Sequence, residues 1–145
     1  MAEWRGYSEA PGWLQQLISE RWPQEEWDNA AAVAWVESRW YPGAHNPSGE
    51  DSRGLWQINV GPGAHTQWAS RSLWDAAVNA DTAYELWTYQ GWGPWSAARV
   101  LGIVGGGGSG SPILSIPGLG SSGGGTAGAL IVAAVVGLII IARRP

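Results

Sequence analysis

The residue best placed to do chemistry is Glu37. In "DNAAAVAWVESRWY" it follows Ala30, Val33 and Ala34 at i, i+3, i+4 and i+7, the spacing of one helical face. The carboxyl therefore continues an apolar stripe. Burial among apolar groups disfavours the charged form and raises the pKa. A carboxylic acid still protonated near neutral pH suits the breaking of a glycosidic bond, whose leaving oxygen must gain a proton as the C–O bond opens. The plainer reading puts Glu37 at a helix end, paired with Arg39 or Arg53. On spacing alone that ion pair is the commoner outcome.

Three helices are expected around this residue. In "SEAPGWLQQLISERW", Ser8 is a candidate cap, Pro11 lies early, and Trp13, Leu14, Leu17, Ile18 and Arg21 keep helical spacing until Pro23 ends the run. The helix carrying Glu37 is expected to start at a capping Asp28 and to end before Pro42. In "SLWDAAVNADTAYELWTYQG", Ala76, Ala80, Ala83 and Trp87 share a stripe that stops at Gly91. The segment 43–67 is rich in Gly, Pro, Asn and Ser, and reads as loops around a short extended "LWQINV".

Composition excludes much other chemistry. The 145 residues include no cysteine, which rules out disulfides, thiolate metal sites and a cysteine nucleophile. His45 and His65 stand in Gly/Pro-rich loops without a second ligand at metal spacing, so no metal site is expected. All eight basic residues are arginine, the net charge is −4 and no basic stripe is visible, which argues against a nucleic-acid partner. Tryptophan is the outlier, with 12 residues and no Phe. Most of these are expected to do the core work of Phe. Trp13, Trp35 and Trp87 fall on helical stripes and read as core. Trp56, Trp92 and Trp95 fall in loops and are the better candidates for flat platforms beneath sugar rings.

Three zones follow one another: a domain over 1–104, a Gly/Ser linker over 105–125, and an uncharged apolar run over 126–142 followed by a basic tail, 143–145. The linker composition predicts a flexible chain with a typical reach of about 25 Å. The apolar run is short for a span, since about 20 residues cross the hydrocarbon. It has no polar face, and the linker separates it from any core, so a transmembrane helix is expected, with Arg143 and Arg144 on the inner side. The N-terminal "MAEWRGYSEAPGW" lacks the basic start and apolar stretch of a signal peptide.

With these segments in view, "AVAWVESRWYPGAHNPSGEDSRGLWQINV" resembles the core of the lysozyme-like transglycosylase (SLT) domains: a helix ending in Glu-Ser, a loop, then Gly-Leu-x-Gln-Ile-Asn. Further on, "NADTAYELWTYQGWGPWSA" resembles the downstream helix and Gly-x-x-x-Trp-Ser segment of phage-type members. The likeness covers roughly residues 12 to 98. It implies a mainly α, α+β lysozyme-like fold and cleavage of the β-1,4 bond between N-acetylmuramic acid and N-acetylglucosamine. By the same resemblance Glu37 is the acid and then the base, Ser38 supports it, and Gln57 and Asn59 line the sugar cleft. Ser38 bonding to helix backbone, and Gln57 and Asn59 satisfying their loop, are the structural alternatives. Gly54 serves a tight turn, while Leu55 and Ile58 are core. Many relatives carry Ala-Tyr-Asn where this chain has "TAYELW", so no role passes to Tyr84.

"SGEDSRG" offers Glu50 and Asp51 as further acids. Lytic transglycosylases need one catalytic carboxyl, because the muramyl C6 hydroxyl closes an anhydro ring. Hydrolysing lysozymes often add a second carboxylate. Asp51 is the candidate for that role, although solvated loop acids are commoner, and the reaction outcome stays open. No metal or organic cofactor is implied. The expected partners are peptidoglycan strands, a lipid membrane through 126–142, and other virion proteins. The expected setting is a phage virion membrane, the enzyme opening the host wall during entry; a bacterial inner-membrane enzyme facing the wall is the alternative. A non-catalytic glycan-binding virion or envelope protein is the reading from another class.

Overall fold

Residues 4–103 are described by a computed structural model, and helical turns take up about half of them. The expected linker, apolar run and basic tail lie outside those residues. Among the described residues no helix is long and apolar enough to cross a membrane.

Everything is arranged around one alanine-rich helix, α2 (Trp27–Ser38). Its residues Ala30 to Ala34 are fully buried on every side. Side chains this small let neighbours close in all round, and α2 packs against the single turn Tyr7–Glu9, α1 (Gly12–Ser19), the turn Gln24–Glu26 and α4 (Ser96–Val100). Asp28 does not cap α2 as expected. The helix begins one residue earlier, and the Asp28 carboxylate instead accepts the Tyr7 backbone N–H at 2.9 Å, tying the N-terminal turn down. At the other end Arg39 and Trp40 are both left-handed (φ 55° and 59°), which turns the chain sharply out immediately after Glu37 and Ser38.

Helix α1 starts at Gly12 rather than at Ser8, because Ser8 belongs to a separate turn and Pro11 occupies the cap. It buries Leu14 and Ile18. Trp13, expected in the core, is 44% exposed, one position off the buried pair. Helix α3 (Ala76–Gln90) is capped by Asp75, whose carboxylate accepts the Val78 N–H at 3.1 Å. Ala80, Ala83 and Trp87 face inward as the stripe predicts, and the helix stops at Gly91 (φ 60°).

The loop segment contains a small antiparallel sheet of three two-residue strands, β1 (His45–Asn46), β2 (Ser52–Arg53) and β3 (Ile58–Asn59), in the order β1-β2-β3. His45 pairs with Arg53 and Asn46 with Ser52; Ser52 then pairs with Asn59 and Arg53 with Ile58. Between β2 and β3 the "GLWQ" turn is pinned to α3 by one residue, Asn79. Its amide donates to the Arg53 and Leu73 carbonyls at 2.8 and 3.0 Å, and its oxygen accepts the Trp56 N–H at 2.9 Å. Gly54 is required there twice over. Its φ is 81°, and a Cβ would stand 2.3 Å from both the Asn79 amide nitrogen and the Leu73 carbonyl oxygen.

The core is largely tryptophan. Trp22 meets Trp56 at 5.2 Å and Trp92 at 5.9 Å, with Tyr84 edge-on at 5.5 Å. Trp92 in turn meets Trp87 and Trp95. Trp35, also expected inside, is only half-buried; Arg5 and Arg39 lie over its ring at 4.6 and 5.0 Å.

Gly54→Ala is expected to cost about 2–4 kcal/mol, from left-handed strain and forced displacement of Asn79 together. Gly49→Ala, equally left-handed at φ 74° but with nothing near its Cβ, carries the strain alone. Thermal unfolding of the two variants measures the difference, and Gly54→Ala should lower Tm by at least about 10 °C.

Candidate active site

Glu37 occupies the last turn of α2, and its side chain is completely buried. Neither carboxyl oxygen has a hydrogen-bond partner. The ion pair that spacing favoured does not form: Arg39 lies over Trp35, and Arg53 is held by Asp51. Burial pushes the Glu37 pKa well above its ordinary value, and the negative charge of Glu50 raises it further. The Ala97 backbone N–H, in the first turn of α4, pulls weakly the other way without completing a hydrogen bond. An unpartnered buried carboxyl costs about 1–3 kcal/mol, which a purely structural position has no reason to retain.

Glu37 opens on a cavity of about 20 Å³, room for about one water. Gln57, Ile58 and Asn59 form one side of it; His65, Leu86, Pro94 and Trp95 form the rest. A cavity of that size is too small to enclose a sugar ring. Gln57 is left-handed (φ 47°) and its amide donates to the Ala44 and Gly54 carbonyls at 3.2 and 2.9 Å. The Asn59 side-chain oxygen accepts the Gly61 and Asp51 N–H groups at 2.9 and 3.3 Å. Both residues thus brace the loop, as one of the two alternatives has it, and both also border the small cavity beside Glu37.

Other expected site residues are placed differently. Ser38 donates its hydroxyl to the Ala34 carbonyl at 3.0 Å, an ordinary helical back-bond, and makes no hydrogen bond to the Glu37 carboxyl. Trp56 and Trp92 are not open platforms. Trp56 is fully buried, with its indole N–H on the Ala30 carbonyl at 3.1 Å, and Trp92 is 1% exposed, with its own on Glu26 at 2.7 Å. Trp95 is a cavity wall rather than a stacking surface, held by its indole N–H on the Trp56 carbonyl at 2.8 Å.

Asp51 is not among the residues that line the Glu37 cavity. Arg53 grips it through two bonds of 2.8 and 2.6 Å, and His45 lies 3.0 Å away. The Arg53 bonds hold the Asp51 carboxyl below the usual range. Side-chain bonds thus group Asp51 with Arg53 and His45, whereas Glu50 accepts the Ser52 hydroxyl. His65 was not anticipated at the site either. It stacks on Trp68 at 4.9 Å and borders the cavity, and burial lowers its pKa, which favours the neutral ring. The bonds that separate Glu50 from Asp51, and the fold that brings His65 in, are not readable from local sequence.

The family model for a lysozyme-like domain matches residues 22–97, more than half of the chain. The chain belongs to that family. No curated protein and no solved structure matches it. Within the lysozyme-like domain the matched stretch carries α2 with Glu37, the whole sheet, α3 and the start of α4. The resemblance seen in the Glu-Ser and "GLWQIN" segments thus holds at the level of the family.

Glu37 also sets a pH dependence of stability. Its folded pKa is raised, so the folded domain holds a proton that the unfolded chain releases above the ordinary value of 4.5. Stability is therefore greatest below that pH and falls by about 1.4 kcal/mol per pH unit until the folded pKa is reached. Asp51 acts oppositely, with a contribution present above its ordinary 3.8 and lost as pH falls through its lowered folded value. Urea unfolding from pH 4.5 to 8 should show the Glu37 slope in wild type and lose it in Glu37→Gln.

Proposed function

We propose that the chain is a membrane-anchored glycosidase of peptidoglycan, cutting the β-1,4 bond between N-acetylmuramic acid and N-acetylglucosamine. The observation that carries this reading is the Glu37 carboxyl, fully buried, unpartnered and facing a water-sized cavity within a lysozyme-like domain. Held neutral, it can give its proton to the glycosidic oxygen as the bond to the sugar C1 breaks and the electron pair leaves with that oxygen. The carboxylate so formed is then a base for the group that attacks C1. Gln57, Asn59 and His65, at the rim of the same cavity, are positioned to meet the sugar's polar groups. Activity requires Glu37 protonated at the start, so it should decline as pH rises through the raised Glu37 pKa.

The anchor is the apolar run 126–142, with Arg143 and Arg144 on the inner face. A Gly/Ser tether with a reach of about 25 Å suits an enzyme that must perforate a wall locally beside its membrane. The phage-like "GWGPWSA" segment favours a virion protein that opens the host wall during entry.

A zymogram on peptidoglycan tests the chemistry. Wild type should clear it, and Glu37→Gln should lose on the order of 100- to 10,000-fold in rate while staying folded. Clearing by both would end the assignment of Glu37. For the anchor, deletion of 126–145 should move the protein from the membrane fraction to the soluble one, with unchanged activity on dissolved glycan; an aggregated truncation would mean that the run belongs to the core.

A further inference from the structure

Two titratable side chains, Glu37 and His65, border the same water-sized cavity. The backbone of His65 is fixed there: its N–H donates to the Asn59 carbonyl at 3.0 Å, and its carbonyl accepts the Trp68 N–H at 3.0 Å. The ring stacks on Trp68, and burial favours its neutral form, which carries one N–H donor. No hydrogen bond to a described residue occupies either ring nitrogen. Both Glu37 oxygens are likewise unpartnered. Once Glu37 has given up its proton, a carboxylate is left in this dry position, and the charges around it do not offset it. Glu50 opposes it. Arg53 is committed to Asp51, and Arg71, which lies over Trp68, to Glu85. The Gln57 amide and the Trp95 indole, on the cavity wall, have spent their donors on backbone carbonyls. Asn59 is tied by its oxygen to two backbone N–H groups, whereas the His65 ring, held only by stacking, can turn a nitrogen to the cavity.

We propose that His65 is the positioning partner of Glu37, its ring N–H reaching the carboxyl through one bridging water and stabilising the carboxylate that Glu37 becomes. The space is right for that water, and the two side chains give it an acceptor and a donor. Before cleavage the water donates to the carbonyl oxygen of the acid, which leaves the O–H for the sugar. After cleavage the same bond meets a full negative charge and strengthens. No proton passes to or from His65, so the bonds made and broken are those of the glycosidase reading above, on which the role in turnover rests.

NMR titration of the Glu37 carboxyl in the full chain, held in detergent micelles, tests the pairing, and pH–rate profiles on purified peptidoglycan test its use. His65→Phe keeps a ring on Trp68 and removes the donor. The Glu37 midpoint should then rise by about one to two pH units. The alkaline limb of the rate should follow it, and kcat should fall on the order of 10- to 100-fold. His65→Gln returns a neutral donor and should bring midpoint and limb back towards wild type. A ring that merely fills space gives the opposite sign, because looser packing admits solvent and lowers the midpoint. Wild type supplies a check that needs no variant: the ring nitrogen signals of His65 should move as Glu37 ionises. A midpoint that stays or falls in His65→Phe, or ring signals indifferent to Glu37, overturn the pairing while leaving the glycosidase reading intact. A raised midpoint with no cleavage by wild type upholds the pairing and overturns the glycosidase reading.

Discussion

The structure turns on keeping one carboxyl dry and unpaired. Ionised, Glu37 in this position would be an uncompensated buried charge, which folding cannot tolerate cheaply. Neutral, it still forfeits the hydrogen bonds that water would give. The domain accepts that cost at the end of a helix whose alanines allow neighbours to close in from all sides. The same close approach that keeps bulk solvent from Glu37 is what keeps its proton on.

The tryptophans make this closure rigid. Their rings fill much of the interior, and two of their indole N–H groups stitch separate segments through backbone acceptors: Trp56 to the Ala30 carbonyl in α2, and Trp95 to the Trp56 carbonyl. A ladder thus runs from the helix bearing the acid, through the "GLWQ" turn, to the segment that walls the cavity. Phe is smaller and has no donor with which to make these links. Asn79 completes the frame from α3, serving three backbone groups of the turn with one amide. Ring volume and donor geometry act together, so the aromatic richness is structural rather than a display of sugar platforms.

Much of this was legible locally. Helical spacing located the inward stripes of α2 and α3, and it put Glu37 on the buried side. Spacing misplaced Trp13 and Trp35, because a stripe wide enough to include them is wider than the face that neighbours actually cover. Loop position suggested open faces for Trp56 and Trp92, yet the loop folds back over them; local irregularity says nothing about burial. Asp28 and Ser8 have good capping chemistry, but tertiary contacts drew the first into a bond with Tyr7 and left the second in a separate turn.

By itself the sequence determined the chemical type of the site: a single carboxyl on an apolar helical stripe, a glycine-led turn after it, and no cysteine or lysine to offer other chemistry. These depend on residue identity and on periodicity within one element. Tertiary structure alone decided which neighbours that carboxyl has. Arg39 and Arg53 were free in sequence to pair with it, and only packing sent one to Trp35 and the other to Asp51. Glu50 and Asp51 are adjacent in the chain and equivalent in composition. Only the folded chain brings Arg53 and His45 onto the Asp51 carboxylate and leaves the Glu50 carboxylate with the Ser52 hydroxyl. Spacing within an element is written in the chain, but distance between elements exists only after folding.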